Sequence, residues 1–310
     1  LLLFFYGHLD VFWRMLIPLY DWFRDQRIIE VGLYKYNFHR VFMQSTIWVV
    51  YALFIFLSLW LIQKKKRSVS LHALIILSFA TLTISLSRSF WIGVIGALVP
   101  FAVAYLLIEK PTTQTVIRKC LTITLLGITC IALIAAILIV PIGKIPGLQS
   151  LAAIPRSATE SEEPALSSRF KLLAPLLQGI RKNVLIGSGF GATITYRTYD
   201  PRYLAAHPNN LYTTFAFEWG WLDIWYKIGL LGVLTYLALI SSLLVGGIRI
   251  ITNTAIHINP VMNSIYFGLT FGLVALVGIH MFTPMLNHPL GIGYLLMTHA
   301  IFQAQTPTNG

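Results

Sequence analysis

Apolar residues gather into long, nearly uncharged runs at about 42–62, 70–87, 90–108, 120–141, 229–248, 261–282 and 289–304. A hydrocarbon core of about 30 Å needs roughly 20 helical residues, so each run is read as a membrane span. The connection from 142 to 228 is too long for a simple link and reads as functional. Within it, Thr159–Pro164 is acidic and serine-rich and reads as flexible. From Ser168 to Ile186, Phe170, Leu173, Leu177 and Ile180 recur at helical spacing beside Arg169, Lys171, Arg181 and Lys182. That pattern predicts an amphipathic helix on the membrane surface, kinked at Pro175. The fold class is therefore an all-α, polytopic transmembrane helix bundle, with 1–310 as a single membrane domain and no internal repeat.

Composition agrees. The chain is 56% hydrophobic and 11% charged, with a mean hydropathy of +0.73, against roughly 45–50% apolar and ~25% charged in soluble domains. The opening run Leu1-Leu2-Leu3-Phe4-Phe5-Tyr6 lacks an initiator Met, a charged leader region and a cleavage site. The chain is read as the C-terminal part of a longer, N-terminally truncated protein whose earlier spans precede it.

The net charge of +12 does not mark nucleic-acid binding, because no basic stripe with interleaved aromatics lies outside the apolar runs. It marks sidedness instead. Lys64, Lys65, Lys66 and Arg67 form one block between spans, Lys110, Arg118 and Lys119 a second, and Arg249 a third. Alternation of seven spans puts all three on one face, as the positive-inside rule requires of the cytoplasm. Residues 1–41, the turn at Arg88 and the 142–228 loop then lie on the other face. Cys120 and Cys130 stand ten residues apart in one apolar run, about 15 Å along a helix, and cannot pair.

The chemistry-bearing residues lie on that outer face. A guanidinium at the junction of two apolar runs is costly without a partner or a function, and Arg88 sits there between Ser87 and Ser89. Its fork suits bidentate phosphate binding, with snorkelling to headgroups as the plainer alternative. Arg169 follows Ser167-Ser168 at the expected start of the amphipathic helix, where anions are favoured. Arg40, Arg197 and Arg202 read first as solvated charges, with Arg40 kept as a substrate-binding candidate. Gly187-Ser188-Gly189-Phe190-Gly191 lacks the strand and helix of a dinucleotide fingerprint and reads as a tight turn allowing close backbone approach. His207, in His207-Pro208-Asn209-Asn210, is a candidate base. No second His or Cys lies near it at metal-ligand spacing, so no metal or other cofactor is expected. Glu218 either orients His207 or an arginine, or solvates a helix end.

Taken in order, these pieces resemble the O-antigen ligase and polymerase family of bacterial envelope glycan assembly. The matching pieces are Leu86-Ser87-Arg88-Ser89, Ser168-Arg169-Phe170, Asn183 to Gly191 and His207-Pro208-Asn209-Asn210. Glu218-Trp219-Gly220, Lys227-Ile228-Gly229-Leu230-Leu231-Gly232 and Asn287-His288-Pro289-Leu290-Gly291 complete the set. Val184 stands where the family often has proline. The resemblance implies a C-type glycosyltransferase-like membrane enzyme, inverting and metal-independent, in the bacterial inner (cytoplasmic) membrane with a periplasmic active site. Its implied donor is an undecaprenyl diphosphate-linked glycan, and its acceptor a lipid A-core, a growing glycan or a protein. It further implies that Arg88 and Arg169 hold the diphosphate and that His207 assists the acceptor hydroxyl.

The competing class is a transporter or flippase of a lipid-linked or anionic substrate. Against it, the polar candidates gather on one side, whereas a transporter site is expected near the midplane. A scaffold subunit would leave Arg88 and His207 without a role. The sidedness is directly testable. A cysteine introduced at Thr159 should react with an impermeant maleimide while the cytoplasmic face stays sealed; labelling only after that face is opened would invert the topology.

Overall fold

A computed structural model describes residues 38–63, 68–139, 164–198, 209–253 and 259–304, with 18, 22, 23, 26 and 29–34 before them. The basic block Lys64–Arg67, the acidic stretch Thr159–Glu163, Arg202 and His207 lie outside the described residues.

Among the described residues there are eight helices: α1 (Thr46–Ile62), α2 (Val69–Ile84), α3 (Arg88–Glu109), α4 (Thr113–Ile139), α5 (Pro164–Lys182), α6 (Gly220–Thr252), α7 (Pro260–His280) and α8 (Pro289–Gln303). Seven fall on the seven apolar runs, and α5 falls on the predicted amphipathic segment. Helices α3, α4, α6 and α7 are long and apolar enough to cross a membrane, while α1 and α2 are shorter apolar helices. The protein is an all-α, multi-pass membrane protein.

Boundaries differ where local chemistry outweighs hydropathy. Helix α4 begins at Thr113, so Arg118 and Lys119 stand inside it and not in a loop. Helix α6 begins at Gly220, ahead of the apolar run. Two small antiparallel hairpins are added: β1 (Ile29–Tyr34) with β2 (Phe38–Met43), and β3 (Ile194–Arg197) with β4 (Leu211–Thr214). Cross-strand partners support the second. Thr195 and Thr213 hydroxyls meet at 2.7 Å and the Tyr196 and Tyr212 rings at 6.0 Å.

The chain divides into two compact units, Leu1–Thr159 with Gly247–Ala275, and Glu160–Gly246 with Leu276–Gly310. In the first, Phe101 of α3 meets Phe54 of α1 at 5.6 Å, and Phe267 and Phe271 of α7 at 5.1 and 5.4 Å. These edge-to-face contacts are a favoured aromatic geometry. A Cβ on Gly268 would sit 2.5 Å from the Ile55 Cα, so the missing side chain lets α7 and α1 cross backbone to backbone. Helices α2 and α4 pack through Ala80, Ile84, Cys130, Ile134 and Leu138. Buried Lys119 donates to the Leu61 carbonyl at 2.6 Å and to the Tyr105 hydroxyl, which satisfies both the cation and the end of α1.

The second unit is organised around a break in α6. Gly229 adopts φ 71° and ψ −175°, a region open essentially to glycine alone. The segment Asn183–Gly189 fills the break. Its Ser188 and Gly189 N–H groups donate to the Tyr226 and Lys227 carbonyls at 2.7 and 2.9 Å. Its Val184 and Leu185 carbonyls accept from Leu230 and Leu231 at 2.9 and 3.2 Å. Gly187 also has φ 71°, and a Cβ there would sit 2.5 Å from the Gly229 nitrogen. The expected tight turn with close backbone approach is what the structure contains. Helix α5 runs through Pro175 and buries Leu172, Leu176 and Ile180 against Ile194, Phe217 and Tyr226. Its apolar face therefore packs on protein, with Phe170 and Leu177 left outside.

Ahead of the break, Asp223 is 1% exposed and Lys227 9% exposed. Lys227 Nζ approaches Asp223 Oδ1 at 2.7 Å as an ion pair, without the alignment of a hydrogen bond, and the Asn287 amide donates to the other carboxylate oxygen. Lys227 also lies 5.5 Å over the Phe217 ring.

Two stability outcomes follow from this geometry, both read by thermal unfolding in detergent. Gly229→Ala should destabilise by at least about 1–3 kcal/mol, while Gly96→Ala, with open space around it, should be neutral or stabilising. Equal midpoints for the two variants would mean that the Asn183–Gly189 segment does not occupy the break. Lys227→Met should cost about 3–5 kcal/mol by stranding a buried carboxylate, and Asp223→Leu added to it should recover part of the loss. Simple additivity of the two substitutions would deny the coupling.

Candidate functional site

In the first unit, the site begins at the turn between α2 and α3. Leu86 adopts φ 45°, unusual for a bulky residue, and is held there by burial with Ile84, Ile134 and Leu138. Buried Ser85 closes back on the Leu82 carbonyl at 2.7 Å, and the Trp91 indole donates to the same carbonyl at 3.1 Å. The Ser87 hydroxyl meets Ser89 Oγ at 3.1 Å and does not cap α3. Arg88 is the first residue of α3 and is half-buried. A helix N-terminus with an arginine on its first residue favours an anion by both dipole and charge.

The structure brings Arg40 to this same turn. From β2, its Nε donates to the Ser85 carbonyl at 2.8 Å, and its guanidinium lies 5.3 Å over the Phe42 ring. Phe42 in turn stacks near Phe90 of α3 at 5.8 Å. A strand ending just before α1 thus bonds a second arginine to Ser85, three residues before Arg88. No sequence periodicity signals that meeting.

In the second unit, Arg169 lies in the second turn of α5, because the helix starts at Pro164 and not at Ser168. The helix dipole acts mainly on the first turn, so it does not bear on Arg169. Its Nε pairs with Glu218, its carbonyl accepts from the Trp219 indole at 3.0 Å, and the Phe170 and Trp219 rings meet at 5.9 Å. Glu218 is therefore paired with an arginine. Arg197 is exposed at the end of β3, opposite Leu211.

His207 belongs to the connection between β3 and β4. The residues after it are described: Asn209 Oδ1 accepts from the Leu211 N–H at 3.1 Å, and the Asn210 carbonyl accepts from Thr198 at 2.9 Å. This Asn pair starts β4. His280 and His288 serve local structure. Nδ1 of buried His280 accepts from Leu286 at 3.1 Å, and His288 caps α8 by accepting from Leu290 at 3.3 Å. Among the described residues no group of three His, Cys, Asp or Glu could hold a metal ion.

The set Asp223, Lys227 and Asn287 was missed by sequence reasoning. The available signal was an Asp and a Lys at i,i+4 just before a glycine that opens an apolar run, a spacing that places them on one helix face.

A family model described as O-antigen ligase matches residues 72–237, more than half of the chain. The matched stretch contains Arg88, Arg169, His207, Glu218 and the Gly187–Gly229 contact. No curated protein matches the chain, and no solved structure does. With the matched region spanning the α2–α3 turn, α5 and the start of α6, the chain belongs to the O-antigen ligase family.

Proposed function

We propose that this membrane glycan transferase moves a glycan from undecaprenyl diphosphate to an acceptor hydroxyl at the periplasmic face of the bacterial inner membrane, with inversion and without a metal. The observation that carries the reading is the α2–α3 turn, where half-buried Arg88 opens α3 between two buried serines and Arg40 is bonded to the same turn. A guanidinium and a helix N-terminus together form a phosphate-type setting.

The chemistry asks for cations on the donor side. As the glycosidic bond breaks, negative charge accumulates on the leaving diphosphate, and fixed guanidinium groups stabilise that change more than the ground state. Arg88 and Arg169 are each assigned this role, each on its own setting, with Arg40 as an additional binding group. Glu218 holds the Arg169 fork oriented when no anion is bound. A single inverting displacement needs no protein nucleophile, only a base at the acceptor hydroxyl, and His207 is assigned to it. The hydroxyl is far too weak an acid to ionise beforehand, so its proton moves to neutral imidazole as the new bond forms.

The test is transfer by the purified protein in proteoliposomes carrying undecaprenyl diphosphate glycan and an acceptor. Product should form without ATP and in the presence of EDTA. His207→Ala should lower turnover by about 10²–10⁴ with donor binding nearly intact. Arg88→Lys should impair transfer despite its retained charge, since the planar fork is lost. Full activity in both Arg88→Ala and Arg169→Ala would remove them from the site. Restoration of a chelated enzyme by magnesium or manganese would end the metal-independent reading, and movement of donor without product would favour a flippase.

A further inference from the structure

The segment that fills the α6 break exposes its apolar side chains instead of burying them. Leu185 is 61% exposed, Ile186 74% and Phe190 63%. Arg181 and Lys182 stand exposed in the last turn of α5, immediately before them. In water such a contiguous patch is unfavourable, and patches of this kind mark interaction surfaces.

Three observations identify what covers it. First, much of the backbone is already satisfied. The Val184 and Leu185 carbonyls and the Ser188 and Gly189 N–H groups are all bonded to α6, and Gly187 N–H donates to the Asn183 carbonyl at 3.0 Å. The segment can therefore enter a poorly hydrated layer without stranding those polar groups. Second, the patch continues an apolar surface that belongs to a membrane span. Leu231, bonded through its N–H to the Leu185 carbonyl at 3.2 Å, is exposed and begins an exposed flank of α6 with Leu234 and Leu237. Third, the Trp225 indole donates to the Val184 carbonyl at 3.0 Å, and indoles are enriched at membrane interfaces.

We propose that Leu185, Ile186 and Phe190, with the Arg181–Lys182 pair, anchor the second unit in the interfacial layer of the membrane that α6 crosses, with the cations on anionic phospholipid headgroups. The side chains enter the acyl boundary while Arg181 and Lys182 reach phosphate, the arrangement long basic side chains favour at interfaces. The rigid hydrogen bonding to α6 sets the depth of the anchor. Two glycines with left-handed φ, Gly187 and Gly229, make that docking possible.

Site-directed fluorescence in nanodiscs, where iodide reaches both faces, tests this. In a Cys120→Ser/Cys130→Ala background, bimane is placed singly on Ile186→Cys, Phe190→Cys and, as an aqueous reference on β3, Thr195→Cys. The expected result is quenching of the first two labels by brominated phospholipid, with a several-fold lower iodide quenching slope than at the reference. Iodide access equal to that at the reference would overturn the proposal. Quenching of both labels by neither agent would also overturn it, by showing that protein covers the patch. Phosphatidylglycerol should strengthen lipid quenching over phosphatidylcholine alone, and Arg181→Gln/Lys182→Gln should abolish that gain; a gain that survives would overturn the headgroup contact.

Discussion

A helix interrupted at the edge of a bilayer leaves carbonyls at the end of its first half and N–H groups at the start of its second without partners. Each such group costs several kcal/mol where water is scarce. The second unit rests on how α6 meets that constraint. The Asn183–Gly189 segment returns two donors and two acceptors to the break, so the interruption is hydrogen-bonded on both sides. The fit requires backbones to touch, and both contact residues are glycines at φ 71°. Everything nearby takes its position from this contact. Gly179 of α5 lies against the Tyr226 ring, and the Tyr226 hydroxyl reaches the Thr193 carbonyl at 3.2 Å, next to β3.

Much of this was legible in the sequence, for specific reasons. Hydropathy located all seven apolar helices, because a membrane helix is written as a long, nearly uncharged apolar run. Gly187-Ser188-Gly189 was read as a turn of close approach because nothing else explains glycines outside a βαβ unit. The partner of that turn was not legible, since Gly229 lies 42 residues further along the chain. The same limit hid the Arg40–Ser85 bond and the Arg169–Glu218 pair. The helical period of α5 was right, but its buried face is Leu172, Leu176 and Ile180, whereas the periodicity was read through Phe170, Leu173, Leu177 and Ile180. A helix with apolar residues on more than one face satisfies several stripes, and packing on the β3–β4 hairpin selected one of them. The hairpin strands are four to six residues long, too short to stand out beside spans.

The charged groups divide by what surrounds them. Lys119, Asp223 and Lys227 are buried, and each is matched by fixed partners within its own unit. Arg40 of the first unit is bonded to the neutral Ser85 carbonyl. Arg169 faces a carboxylate and is locally neutralised. An anion arriving at Arg169 must share or replace Glu218.

Magnitudes decide whether that replacement is feasible. Arg169 and Glu218 are both substantially solvent-exposed, and exposed pairs contribute about 0.2–1 kcal/mol. A diphosphate offers more oxygens and more charge than one carboxylate, so exchange at Arg169 is energetically shallow. The Asp223–Lys227 pair is the opposite case. Removing either partner there strands a buried charge at about 3–5 kcal/mol, which makes exchange with a ligand unfavourable and suits the pair to holding α6 against Asn287. The Arg169 backbone stays in place while the side chain's partner changes, because it is held by the Trp219 indole and the Phe170 ring contact. An arginine whose position is set by packing and whose charge partner is exchangeable is suited to binding an anionic substrate, and among the described ion pairs Arg169–Glu218 meets both conditions.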